Sequence, residues 1–185
     1  MDNNPAGSIY TMVEKAYFRL QAGDVLGRCL EDGSIEPMHE MIQEMVLAGP
    51  QSLDALREIL GETNKRKSQV HDDLNQVTNH LSIILKDYGI NLEKLGGNQV
   101  LQTLSENQLK GLLDEEKIID KENRSGSMRV LKDSQELMEV LAAKISLLEN
   151  IETYLLDWLW GLTYQQIRDW DLGGEVNPSR NEMQQ

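Results

Sequence analysis

Apolar residues return at alternating steps of three and four along two long stretches of this chain. The first series runs Leu53, Leu56, Leu60, Thr63, Lys67, Val70, Leu74, Val77, Leu81, Ile84 and Tyr88. The second runs Val130, Ser134, Leu137, Leu141, Lys144, Leu148, Ile151, Leu155, Trp158 and Leu162. Such spacing is the heptad signature of a helix that buries one seam against a partner helix. The two series match in length, which predicts an antiparallel coiled-coil hairpin. The pairing sets Leu56 against Leu162, Val70 against Leu148, Leu81 against Leu137 and Tyr88 against Val130. Each polar seam residue then faces an apolar one: Thr63 meets Leu155, Lys67 meets Ile151, Lys144 meets Leu74 and Ser134 meets Ile84. At the rise of an α-helix each arm is about 50 Å long.

Around the hairpin the pattern predicts shorter helices. Ser8 is a candidate N-cap for a helix with Ile9, Val13, Ala16, Tyr17 and Leu20 on one face. The run Gln21–Asp24 reads as a break, with Asp24 capping a short apolar segment from Val25 to Leu30. Glu31–Ser34 is a turn. Ser34 then caps a helix that has Pro37 in its first turn and Met38, Met41, Ile42, Met45 and Val46 on its inner face. Gly49-Pro50 ends that helix and Gly89 ends the first arm. Between the arms, residues 89–128 are too many for a simple turn and read as a small helical tip, with Leu109, Leu112 and Leu113 on one of its helices. Gly161 interrupts the second arm. Thr163 and Gln166 then fit a capping box for a return helix from Tyr164 to Trp170. The expected architecture is all-α: a helical base segment over 8–50, a first coiled-coil arm over 51–88, the tip over 89–128, the second arm and return helix over 129–170, and a mobile tail over 171–185.

The arms hold more apolar residues than one two-stranded seam can bury. Ile59, Ile83 and Leu85 lie off the first seam; Met138, Ile145, Leu147, Tyr154 and Leu159 lie off the second. A stripe this wide suits three or more helices. Either the N-terminal helices fold back along the hairpin, or two hairpins join as a four-helix homodimer, the commonest symmetric arrangement.

Charge narrows the function classes. The 31 acids outnumber the 18 Lys and Arg residues, giving a net charge of −13. The one tight basic run is Lys65-Arg66-Lys67. Nucleic acid and anionic membranes both select clustered cations, so neither is an expected partner. The single cysteine, Cys29, excludes an internal disulfide and a multi-cysteine zinc site. The N-terminus has no basic-then-apolar leader, and no run of about 18 apolar residues occurs. The expected location is cytoplasmic.

Candidate chemistry is sparse. The run "HDDLN", His71 to Asn75, has the form His-Asp-x-x-Asn. It resembles the phospho-accepting box of histidine-kinase dimerisation domains and histidine phosphotransfer proteins. The resemblance implies an exposed His71 as phospho-acceptor on a helical hairpin, with Asp72 orienting the imidazole and Asn75 one turn away. No glycine-rich ATP-binding segment accompanies it, so autophosphorylation is excluded on this chain alone. Glu36 and His39 form half of a di-iron carboxylate pattern, but no second Glu-x-x-His occurs. There is no phosphate-binding glycine loop and no nucleophile elbow, and the serines lack a recognisable base.

These readings converge on a non-enzymatic interaction module without cofactor or metal: an adaptor, assembly factor, chaperone-like or regulatory protein. Its expected partner surfaces are Leu109, Leu112 and Leu113 at the tip and Trp160 and Trp170 at the base. The alternatives are phosphotransfer through His71 and an acidic decoy of a basic binding surface.

Overall fold

The computed structural model describes residues 5–47, 52–87, 108 and 121–174, and the chain is all-helical over them. Four helices follow one another: α1 (Pro5–Asp32), α2 (Glu36–Leu47), α3 (Ser52–Asp87) and α4 (Lys121–Gly174). Residues 1–65 and 147–185 belong to one compact unit, and residues 66–146 to a second. The start of α3 therefore shares a unit with the end of α4, and the end of α3 with the start of α4. That is the antiparallel order of a helical hairpin.

In the first unit, α1 opens on Pro5, whose missing N–H costs nothing in a first turn. It then runs unbroken through Gln21–Asp24, where the sequence pattern predicts a break. Gly23 in a helix interior costs only about 1 kcal/mol relative to alanine. Ala22, Val25, Leu26 and Cys29 continue one buried stripe across it, and their burial outweighs that cost. The other face of α1 departs from expectation as well. Ala16, Tyr17 and Leu20, predicted to lie inward, are exposed.

The α1–α2 connection follows the sequence closely. Gly33 adopts φ +63°, a left-handed conformation that glycine takes at little cost. The Ser34 N–H donates to the Cys29 carbonyl at 3.1 Å, the long bond of a Schellman turn. Ser34 also caps α2, its Oγ accepting from the Glu36 N–H at 3.2 Å. Met38 and Ile42 of α2 are fully buried, as are Leu56 and Ile59 of α3 and Leu148 and Ile151 of α4. Side-chain contacts also join the helices of this unit. Glu58 of α3 accepts from Arg19 Nε of α1 at 2.6 Å, with Lys15 at 3.8 Å. His39 of α2 stacks on Tyr154 of α4, with ring centroids 4.8 Å apart.

In the second unit, α3 buries Val70, Leu74, Thr78, Leu81 and Leu85, and α4 buries Leu131, Gln135, Met138, Leu141 and Ile145. The predicted seam holds at Val70, Leu74, Leu81 and Leu141. Elsewhere it shifts by one residue. Thr78 and Leu85 take the places expected for Val77 and Ile84. Leu131, Met138 and Ile145 take those expected for Val130, Leu137 and Lys144. Two physical reasons account for the shift. The Thr78 hydroxyl donates to the Leu74 carbonyl at 2.8 Å, so its burial leaves no unpaired donor. On α4 the stripe through Leu131, Gln135, Met138 and Ile145 carries no charge, and choosing it keeps the Lys144 ammonium out of the interior. The predicted pairing sets Thr78 opposite Val140; instead its Oγ1 meets Met138 Sδ at 3.7 Å.

At its far end α4 runs through Gly161 to Gly174 without interruption. Thr163 does not cap a return helix. Its hydroxyl donates to the Leu159 carbonyl at 2.7 Å, one turn back in the same helix. The segment from Tyr164 to Trp170 is thus the last part of α4, and helix persists into the stretch expected to be tail.

Candidate interaction surface on α4

Leu156, Trp160 and Tyr164 stand four residues apart on α4, and residues at that spacing share one helix face. All three reach solvent, Trp160 and Tyr164 with 72 % and 71 % of their surface exposed. Among the described residues they are the two most exposed aromatic side chains, ahead of Tyr17. Further round α4 lies an open groove of about 450 Å³, lined by Tyr154, Asp157, Trp158, Gly161, Leu162 and Gln165. A second recess of about 390 Å³ adjoins Gly161, Tyr164, Gln165 and Arg168. Gly161 borders both. A Cβ there would meet no atom within 4 Å, so the absent side chain keeps the wall low between them.

The groove has polar points at its edge. Asp157 brings a negative charge to the groove and Arg168 a positive one to the adjoining recess. Tyr154 packs edge-on against Trp158, with ring centroids 6.4 Å apart, as well as flat on His39. Its phenol oxygen is out of reach of solvent and has no hydrogen-bond partner among the described residues. The stacking fixes the ring.

The other predicted site residues fall as follows. Trp170 lies within α4, but its side chain is outside the described residues, as are Leu109, Leu112 and Leu113. His71, Asp72 and Asn75 are exposed on α3, next to buried Val70 and Leu74. His71 therefore stands on a helix surface as the resemblance implies, and it bonds to no neighbour among the described residues. Glu36 and His39 do not converge on a common point: Glu36 is exposed, and His39 is turned onto Tyr154. Among the described residues no group of three or more His, Cys, Asp and Glu side chains is close enough to hold a metal ion. No helix among them is long and apolar enough to cross a membrane.

The sequence reading selected Trp160 but passed over Leu156, Gly161 and Tyr164. The signal was present in the four-residue spacing of 156, 160 and 164. It was masked by assigning Gly161 as a helix end, which placed Tyr164 on a different element.

No family model, no curated protein and no solved structure matches the chain.

Proposed function

We propose that the protein is a non-enzymatic interaction module, an adaptor or regulatory protein, that binds a protein partner through the α4 face carrying Trp160. The observation that carries this reading is the pair Trp160 and Tyr164, two large aromatics held outside on one face of a helix, with Tyr164 lining a recess that shares Gly161 and Gln165 with the open groove. Exposed aromatics on a rigid element supply large contact area at small entropic cost, and they dominate measured binding hot spots. A partner with an apolar helix or strand fits this surface, its apolar side chains entering the groove at Gly161 and its polar groups meeting Asp157 and Arg168. A second copy of the chain is a further partner of the module. Cys29, free and wholly buried, suits a reducing cytoplasmic setting.

Capture from the native extract tests this reading. The intact chain is expected to retain a discrete partner that Trp160→Ala/Tyr164→Ala loses while its helical content stays unchanged. Equal retention by both proteins would remove the proposal.

Phosphotransfer through His71 is the second reading, supported by the exposure of His71, Asp72 and Asn75 on α3. It requires that a phosphodonor load an acid-labile phosphate on the intact chain and not on His71→Ala. The acidic-decoy reading has less support. Opposite charges alternate along the helices, as in the pairs Arg57–Asp54, Lys65–Glu62, Arg129–Asp133 and Lys132–Glu136.

A further inference from the structure

The one-residue shift of the second unit leaves a stripe of α4 turned away from α3 and exposed. Val130, Leu137 and Val140 are 45 %, 46 % and 51 % exposed. With Asp133 and Lys144 they occupy positions 130, 133, 137, 140 and 144, again alternating steps of three and four. These five residues therefore form a second seam along one flank of the helix, about 21 Å long. Ile83 of α3, 59 % exposed, is a fourth unburied large apolar residue in the same unit.

Its inner four residues, Asp133, Leu137, Val140 and Lys144, run charged, apolar, apolar, charged, with opposite signs at the two ends. Laid antiparallel on itself about a two-fold axis at position 138–139, it sets Leu137 against Val140 and Asp133 against Lys144, each pair occurring twice. Apolar residues meet apolar ones, and each carboxylate meets an ammonium. A parallel arrangement would instead oppose Asp133 to Asp133 and Lys144 to Lys144. Self-complementarity under a two-fold is what an isologous dimer requires. Asp133 is free to serve this contact: its link to Arg129 on the same helix is long, at 3.9 Å, and solvent-exposed. The Lys144 side chain is half-buried, so its stem lies on the protein and its ammonium is presented at the edge of the stripe.

We infer that two copies of the chain associate antiparallel through Asp133, Leu137, Val140 and Lys144 of α4. This rests on the interaction-module reading and names a second copy as the partner of this particular stripe. A single helix stripe is small, so the dimer is weak, with dissociation on the order of micromolar.

Sedimentation of the full chain across the micromolar range tests it. The expected result is a concentration-dependent dimer. Lys144→Asp puts four carboxylates at the interface and is expected to weaken the dimer about tenfold or more. Asp133→Lys does the same with four ammonium groups. Asp133→Lys/Lys144→Asp in one chain restores the dimer, because the opposite charges again face each other. Restoration distinguishes a contact from a general loss of structure. A chain that stays monomeric throughout overturns the inference. So does a dimer indifferent to both single reversals, or one that the double swap fails to restore. None of these results touches capture by Trp160 and Tyr164, so a failure here and a failure of the module reading are read separately.

Discussion

Tyr154 shows how one residue links packing to recognition in this protein. Its ring is fixed between His39 and Trp158, while its phenol oxygen is buried with no hydrogen-bond partner among the described residues. An unpaired buried hydroxyl costs about 1–3 kcal/mol. Tyr154→Phe is therefore expected to leave the free protein as stable as before or more stable by about 1 kcal/mol, read from the urea midpoint; a clear loss would show that the hydroxyl is paired. Cys29 presents a different case. Burial pushes its thiol above the ordinary value of 9.0, opposed more weakly by a backbone hydrogen bond at Met38 and by Arg28. The folded thiol thus ionises at higher pH than the unfolded one. Its contribution to stability is fully present below about pH 9 and is lost as pH rises toward the folded value. A disulfide reagent at neutral pH is expected to react with Cys29 slowly in water and fast in denaturant. Rapid reaction of the native protein would contradict this placement.

Glycine separates what the sequence revealed at the scale of elements from what it concealed. Gly33 was legible, because a left-handed residue between an apolar stripe and a capping serine has one economical reading, and the turn forms there. Gly23 and Gly161 were misleading. Each looks like a helix stop, yet each lies inside a helix; past Gly23 the buried stripe continues through Val25, Leu26 and Cys29, and past Gly161 Leu162 and Thr163 stay half-buried. Local propensity, at about 1 kcal/mol, is outweighed by the burial of several Leu, Val and Ile residues. Gly23→Ala is accordingly expected to stabilise the fold by about 0.5–1 kcal/mol, since a Cβ there meets nothing within 4 Å. Gly33→Ala is expected to destabilise it by about 1 kcal/mol, through its positive φ. Thermal unfolding of the two variants checks both signs. The seams teach a similar lesson. Periodicity located both hairpin helices and predicted their antiparallel order, but Met138 and Leu137 are both apolar and only one can face α3. The choice was set by residues elsewhere on the stripe, Lys144 against Ile145, and so needed the packed pair to be seen.

At the scale of the molecule, α4 carries two apolar surfaces among the described residues: the face of Leu156, Trp160 and Tyr164 in one unit, and the stripe of Val130, Leu137 and Val140 in the other. The first was half legible in the sequence through Trp160. The second was legible only as an excess of apolar residues over what one seam can bury. A net charge of −13 opposes indiscriminate self-association through these surfaces. The central claim is that the Trp160 face binds another protein, and site-specific photocrosslinking tests it most directly. A photoreactive residue placed at Trp160 is expected to yield a crosslinked product of discrete mass containing a second, different protein. The same residue at exposed Arg66 on α3 is expected to yield none of it. A probe at Trp160 that captures nothing beyond what the probe at Arg66 captures would contradict the account.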